Sequence, residues 1–269
     1  MPIDPSLAGR TFPATEPYDV TEQAVSDFAS ATGTPYAPGD PAPATFPIVV
    51  AFAAMQGLMR DPEMGIELQH VVHGQQRFVH ERPVAVGDRL TATLTVRGLR
   101  QIGGADVITT SSDITDEAGV LVCTADATLV HQAGAAPRRW RSRAVSRMTE
   151  LTPSTYAVTR EALVAYARVS GDPNPIHQDP QVARSVGLPD VIAHGMYTLA
   201  LAARYVDEQL GEPGRIVELG AKFTRPVVVP ESGTQVEIEG TWRDEHTIAL
   251  RVTCAGESVL GNPVAVVRA

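Results

Sequence analysis

The same order of elements is written twice along this chain, and that repetition limits the fold more than any other feature. The first copy opens at Thr21–Gly33 and the second at Thr159–Gly171. In each, apolar residues recur at i, i+3 and i+4: Val25, Phe28 and Ala29 in one, Leu163, Tyr166 and Ala167 in the other. That spacing puts them on one face of a helix. Each segment begins on a threonine able to cap the first turn and ends on a glycine suited to the left-handed conformation in which helices stop. A longer apolar helix follows in each copy, over about Phe46–Met59 and about Gly195–Leu210. The second is apolar on nearly every side until its last turn, the pattern of a helix wrapped by other structure.

Strands follow each long helix. Gly74–Phe78 leads to Arg82–Val86, and Gly220–Phe223 leads to Arg225–Val229. Alternating runs continue at Leu90–Val96, Val107–Ile114 and Val120–Val130, and in the second copy at Gln235–Trp242, His246–Thr253 and Asn262–Arg268. Gly103-Gly104 and Glu117–Gly119 read as hairpin turns. A buried helix followed by meandering strands implies an α+β fold, a sheet wrapped around a central helix, made twice. With 269 residues, 43% of them hydrophobic, each half can bury its own core. Between the copies, Gln132–Arg147 is rich in small residues, proline and arginine and holds no sustained period. Residues 132–152 therefore read as a linker between domains at 1–131 and 153–269.

The copies differ most just after the short helix. The second reads Gly171-Asp-Pro-Asn-Pro-Ile-His177, where the first reads Gly33-Thr-Pro-Tyr-Ala-Pro38. The second thus has Asp172 and His177 where the first has Thr34 and no histidine nearby. Two prolines stiffen the loop and bar it from continuing the helix. A carboxylate and an imidazole held in such a turn suit proton transfer near neutral pH. The same residues also fit a plain Asx-turn with a surface histidine, and residue chemistry alone leaves both readings open.

Gly171-Asp-x-Asn-Pro-Ile-His177-x-Asp-Pro180, followed by Ala183, Gly187 and Val191-Ile-Ala-His194-Gly195-Met196, resembles the signature of the R-specific enoyl-CoA hydratases, the MaoC-like dehydratases. Phe223–Pro230 is similar to the strand after the helix in these proteins. The first half, through Gly9–Pro13, Pro43–Pro47 and Arg82–Asp88, resembles the non-catalytic partner in two-subunit (3R)-hydroxyacyl-ACP dehydratases of type II fatty-acid synthesis. The resemblance implies a double hot-dog, two antiparallel sheets each wrapped around a long helix, with one active site in the second half. It implies that Asp172 and His177 add or remove water at C2–C3 of an acyl thioester, His177 chiefly at the C2 proton and Asp172 at the hydroxyl or water. The substrate would be an acyl-CoA or an acyl-ACP, with no cofactor. Asn174, His194 and Met196 are expected at the substrate: Asn174 orients the loop or the water, and His194 shapes the start of the helix. Gly195 opens that helix, where N–H groups lack internal partners and the dipole favours negative charge, so its N–H is expected to stabilise the thioester oxyanion. A plain packing glycine is the other reading. Phe46, Ile48, Phe52, Met55, Leu58 and Met59 in the first half read either as ordinary core or as lining for a long acyl chain. A non-catalytic acyl-thioester binder and a thioesterase stand as alternatives, because the fold hosts all three.

Charge and composition narrow the partners. A formal net charge of −9 disfavours broad attraction to nucleic acid or an anionic membrane. An acidic acyl carrier protein would seek a local basic patch, for which Arg138, Arg139, Arg141, Arg143 and Arg147 are the candidates against a solvated linker. No metal is expected: Cys123 and Cys254 lie in strand-like runs as small apolar residues, and His70 and His73 read as surface or strand residues. His80, His131 and His246 carry no motif. The start of the chain has no basic-then-apolar leader, so a cytoplasmic protein, monomer or homodimer, is the expectation.

Overall fold

The computed structural model describes residues 7–61, 71–102, 104–131 and 149–269. Both short helices form where their caps predict. Helix α1 runs Glu22–Thr32, with the Thr21 hydroxyl accepting from the Ala24 N–H at 3.2 Å and Gly33 left-handed at φ 66°. Helix α3 runs Arg160–Ser170, with Thr159 accepting from Ala162 at 3.2 Å and Gly171 at φ 74°. The long helices are α2, Ile48–Arg60, and α5, Gly195–Leu210. Between α3 and α5 lie a 3-10 turn, Pro175–His177, and the short α4, Pro180–Ser185. Residues 132–148 of the expected 132–152 linker, with their arginines, lie outside the described residues, as does His70.

The strands are β1 (Tyr18–Asp19), β2 (Val71–His80), β3 (Arg89–Ile102), β4 (Ala105–Thr115), β5 (Leu121–His131), β6 (Ser154–Val158), β7 (Ile216–Phe223), β8 (Thr234–Trp242), β9 (Thr247–Cys254), β10 (Glu257–Ser258) and β11 (Leu260–Val267). The two sheets expected from the repeat are two halves of one. An eleven-stranded sheet runs in the order β1-β3-β4-β5-β2-β7-β11-β9-β8-β6, with β10 against β9. The halves join through an antiparallel ladder of β2 with β7, from Gln75 opposite Lys222 to Val79 opposite Glu218. Five residues before Arg82 is Arg77, and five before its counterpart Arg225 is Gly220; these two face each other. Counterpart residues meet in this way only about a two-fold axis, which makes the seam pseudo-symmetric. Arg77 also holds Glu218 across the seam in a bidentate pair at 2.7 and 2.8 Å.

Each half wraps its sheet around its long helix: Leu199, Ala202, Tyr205 and Val206 of α5 are fully inaccessible, as is Leu58 of α2. Helix α1 packs on α3, where Phe28 meets Tyr166 at 5.9 Å between ring centroids. The stretches after β2 and β7 leave the sheet, since Pro83 and Pro226 have no N–H for a ladder. They brace the segment ahead of each long helix instead: Ala42 N–H donates to Val84 at 2.8 Å, and Ala193 N–H to Val227 at 2.8 Å. The last strand starts at Leu260, earlier than its alternation suggests, with a register break from Gly261 to Val264 around Pro263.

Candidate active site

The segment 171–179 folds through its own side chains. Gly171 stops α3, and the Asp172 Oδ1 accepts from the Asn174 N–H at 3.1 Å, closing an Asx-turn. The Asn174 Oδ1 then accepts from the Ile176 N–H at 3.3 Å and caps the 3-10 turn. Asp179 caps α4, accepting from Gln181 at 2.7 Å and Val182 at 3.3 Å. The turn delivers His177 inward, where its Nδ1–H donates to the Ile192 carbonyl at 2.8 Å. A neutral imidazole fixed in that tautomer presents Nε2 as a lone pair, the form a general base needs.

His194, the residue ahead of α5, completes the cluster. Its ring stacks on His177 at 3.7 Å between centroids with 29° between planes, and Tyr166 packs edge-on at 5.1 Å. The His194 Nε2–H points at the Asp172 carbonyl at 3.4 Å, and its buried Nδ1 has no hydrogen-bond partner among the described residues. Donor atoms of Asp172, His177 and His194 lie within 4.8 Å of one another. These are metal-ligand types, but stacked rings carry their lone pairs side by side, not toward one ion, and the His177 Nδ1 is already committed. The arrangement suits proton transfer better than shared coordination.

His177 is 8% exposed, His194 2% and Asn174 4%, while Asp172 is half-buried. Burial pushes the Asp172 carboxyl up, against the opposing pull of the His177 charge and the Asn174 N–H. Burial pushes the His177 imidazole down, against Asp172 and the Ile192 carbonyl. Burial, then the His177 charge, holds His194 well below the usual imidazole range. Both shifts of the pair favour its uncharged form, a protonated carboxyl beside a neutral imidazole, over the ion pair.

Gly195 starts α5, and no side chain caps that terminus. A Cβ here would stand 2.7 Å from Cγ of Phe223, so packing calls for glycine. Met196 is 5% exposed within the core. His73 reaches the same place from the first half, edge-on to Phe223 at 5.1 Å, with burial lowering it to about 4. The matching braces at Ala42 and Ala193 place Pro43 and Ala44 where the second half has His194 and Gly195. Thr34, the counterpart of Asp172, shares a hydrogen bond with the Thr32 hydroxyl at 2.9 Å. The first half therefore carries no carboxylate–imidazole pair at this position among the described residues.

Sequence reasoning finds Asp172, Asn174, His177, His194 and Gly195, and the fold brings them together. It misses the Ile192 carbonyl, a backbone group with no residue signature, and Phe223, whose role depends on β7 ending against α5. Tyr166 reads in sequence as an apolar helix position; its buried hydroxyl has no hydrogen-bond partner among the described residues.

A family model described as a MaoC-like domain matches residues 143–255, and one described as a FAS1-like dehydratase domain region matches residues 6–125. A curated relative from Streptomyces avermitilis, named a UPF0336 protein, is 38% identical over 148 residues, which is 49% of this chain and 97% of the relative. A solved structure described as a MaoC-like dehydratase superposes with a TM-score of 0.86 at 24% identity, covering 98% of each chain. A Mycobacterium tuberculosis protein described as having a double hotdog fold superposes with a TM-score of 0.64 at 16% identity, covering 96% of each. At these identities the structural likeness is one of fold, and it agrees with the double hot-dog that the resemblance implies.

Proposed function

We propose, for a chain that belongs to the MaoC-like dehydratase family, that Asp172 and His177 are the acid–base pair of a (3R)-3-hydroxyacyl-thioester dehydratase, equally an R-specific enoyl-thioester hydratase. The observation that carries the reading is the pair itself: a half-buried carboxyl and a buried imidazole within 4.8 Å, the imidazole fixed by the Ile192 carbonyl so that Nε2 is free for a proton.

In dehydration, His177 Nε2 takes the C2 proton and the C2–H electrons form the new double bond. Asp172 gives its proton to the C3 hydroxyl, which leaves as water. The pair ends as imidazolium and carboxylate, and hydration runs the same steps backward. The shifts at rest suit the dehydrating start, with the proton on Asp172. The thioester oxygen gains charge as C2 loses its proton, and the N–H of Gly195, at an uncapped helix start, is the donor that meets it. Asn174 holds the loop through its bond to Ile176, His194 holds His177 by stacking, and Met196 follows Gly195 into the core. Residues 1–131 act as a non-catalytic half that shapes the acyl site, giving one active site per chain.

The substrate is an acyl thioester on CoA or on a carrier protein. Incubation with a crotonyl or longer enoyl thioester should bleach the enoyl absorbance and leave the thioester intact. Release of free thiol without that change would mark a thioesterase. Binding without either change would mark a non-catalytic acyl binder. Titrating a C12 hydroxyacyl group on CoA and on carrier protein at two salt concentrations separates the carriers, because attraction to an acidic carrier weakens with salt. No helix among the described residues is long and apolar enough to cross a membrane.

A further inference from the structure

Gln56 belongs to the first half but reaches the loop that carries Asp172. From α2 its Nε2 donates to the Gly171 carbonyl at 2.9 Å. Its Oε1 accepts from the Arg60 Nη2 at 3.2 Å, which fixes which end of the amide faces that carbonyl. Gly171 is the residue that stops α3, and Asp172 is next to it.

Two comparisons inside the molecule give this contact its weight. Helix α1 closes its stop on itself: Gly33 N–H donates to Ser30 at 3.1 Å and Thr34 N–H to Ala29 at 2.9 Å. Among the described residues the end of α3 shows neither bond, and the Asp172 N–H finds only the Ser170 hydroxyl at 3.4 Å. The stop that leads to the acid–base loop is thus tied less to its own helix and more to the other half. Second, each long helix meets the opposite half's stop glycine. The guanidinium of Arg204 of α5 lies against Gly33, and Gln56 of α2 holds Gly171. Of these two pseudo-symmetric contacts, the one with a hydrogen bond is the one that leads into Asp172.

We propose that Gln56 is a positioning residue: through the Gly171 carbonyl, the first half sets where the Asp172–His177 loop stands relative to the start of α5. The inference rests on the acid–base reading of that pair. Prolines 173 and 175 and the turn bonds of Asp172 and Asn174 make the loop stiff, so it shifts as a unit when its anchor is lost.

Gln56→Leu removes the donor, Gln56→Glu replaces it by an acceptor, and Gln56→Lys keeps one. Hydrogen exchange of the Gly171, Asp172, Asn174 and Ile176–Gln178 amides should quicken roughly tenfold in the Leu and Glu variants while the sheet is unchanged, as for a local opening. Their kcat should fall about tenfold with KM within about twofold, the mark of misplaced chemistry and not of lost binding. The Lys variant should stay near the parent in both. Unchanged loop exchange and unchanged kcat in the Leu and Glu variants would overturn the proposal, as would a kcat loss that only tracks melting temperature. The exchange measurement needs no turnover, so it decides the anchoring even with an inactive parent, a result that would count against the acid–base reading alone.

Discussion

At the scale of single residues, the proposed site is a matter of one proton between a half-buried carboxyl and a buried imidazole. Because burial raises Asp172 and lowers His177, the singly protonated pair is weighted toward the neutral couple, with the proton on Asp172, over the ion pair. A second proton arrives only below the usual imidazole range, since burial disfavours the charged ring, and it blocks the base. The last proton leaves above the usual carboxylate range, and its loss removes the acid. The profile of kcat/KM against pH should therefore be bell-shaped, and a single-limbed profile would contradict the shared proton. Gly195 makes a second prediction. Gly195→Ala drives a methyl into Phe223 and should destabilise the protein by about 1–3 kcal/mol, the usual cost of overpacking. Phe223→Leu in the same chain should recover part of that loss, and additive melts for the two changes would deny the contact.

At the scale of elements, the helices were legible in local chemistry. Thr21 and Gly33, Thr159 and Gly171 bracket α1 and α3 as their caps require, and the apolar run from Gly195 to Leu210 is α5 to the residue. Thr159→Ala, like Thr21→Ala, should cost about 1 kcal/mol in denaturant unfolding, because each hydroxyl satisfies one otherwise unpaired N–H. A midpoint unmoved by either change would deny those caps. The pairing of β2 with β7 was not legible. Periodicity says which face of a strand is apolar but nothing of which distant strand lies alongside, so the repeat gives two sheets where the chain builds one. The same limit hid the Ile192 carbonyl, Phe223 and Gln56, whose parts in the site come from neighbours brought in by the fold.

At the scale of the whole molecule, the seam gives the first half a structural part even without a counterpart of the Asp172–His177 pair among its described residues. The first half carries Thr34, Pro43 and Ala44 where the second has Asp172, His194 and Gly195, yet it supplies half of the sheet, the His73 contact on Phe223 and the Gln56 anchor. With the sheet continuous through β2 and β7 and α1 packed on α3, calorimetry should show one transition for both halves, and two separate transitions would contradict the shared sheet. The central claim is that Asp172 and His177 alone perform the proton transfers. Its most direct test is the rate of hydration of a crotonyl or longer enoyl thioester by Asp172→Asn and His177→Ala beside the parent chain. Each variant should lose roughly 100-fold or more in kcat while remaining folded, in line with the loss of one acid–base group; rates equal to the parent in both would contradict the account.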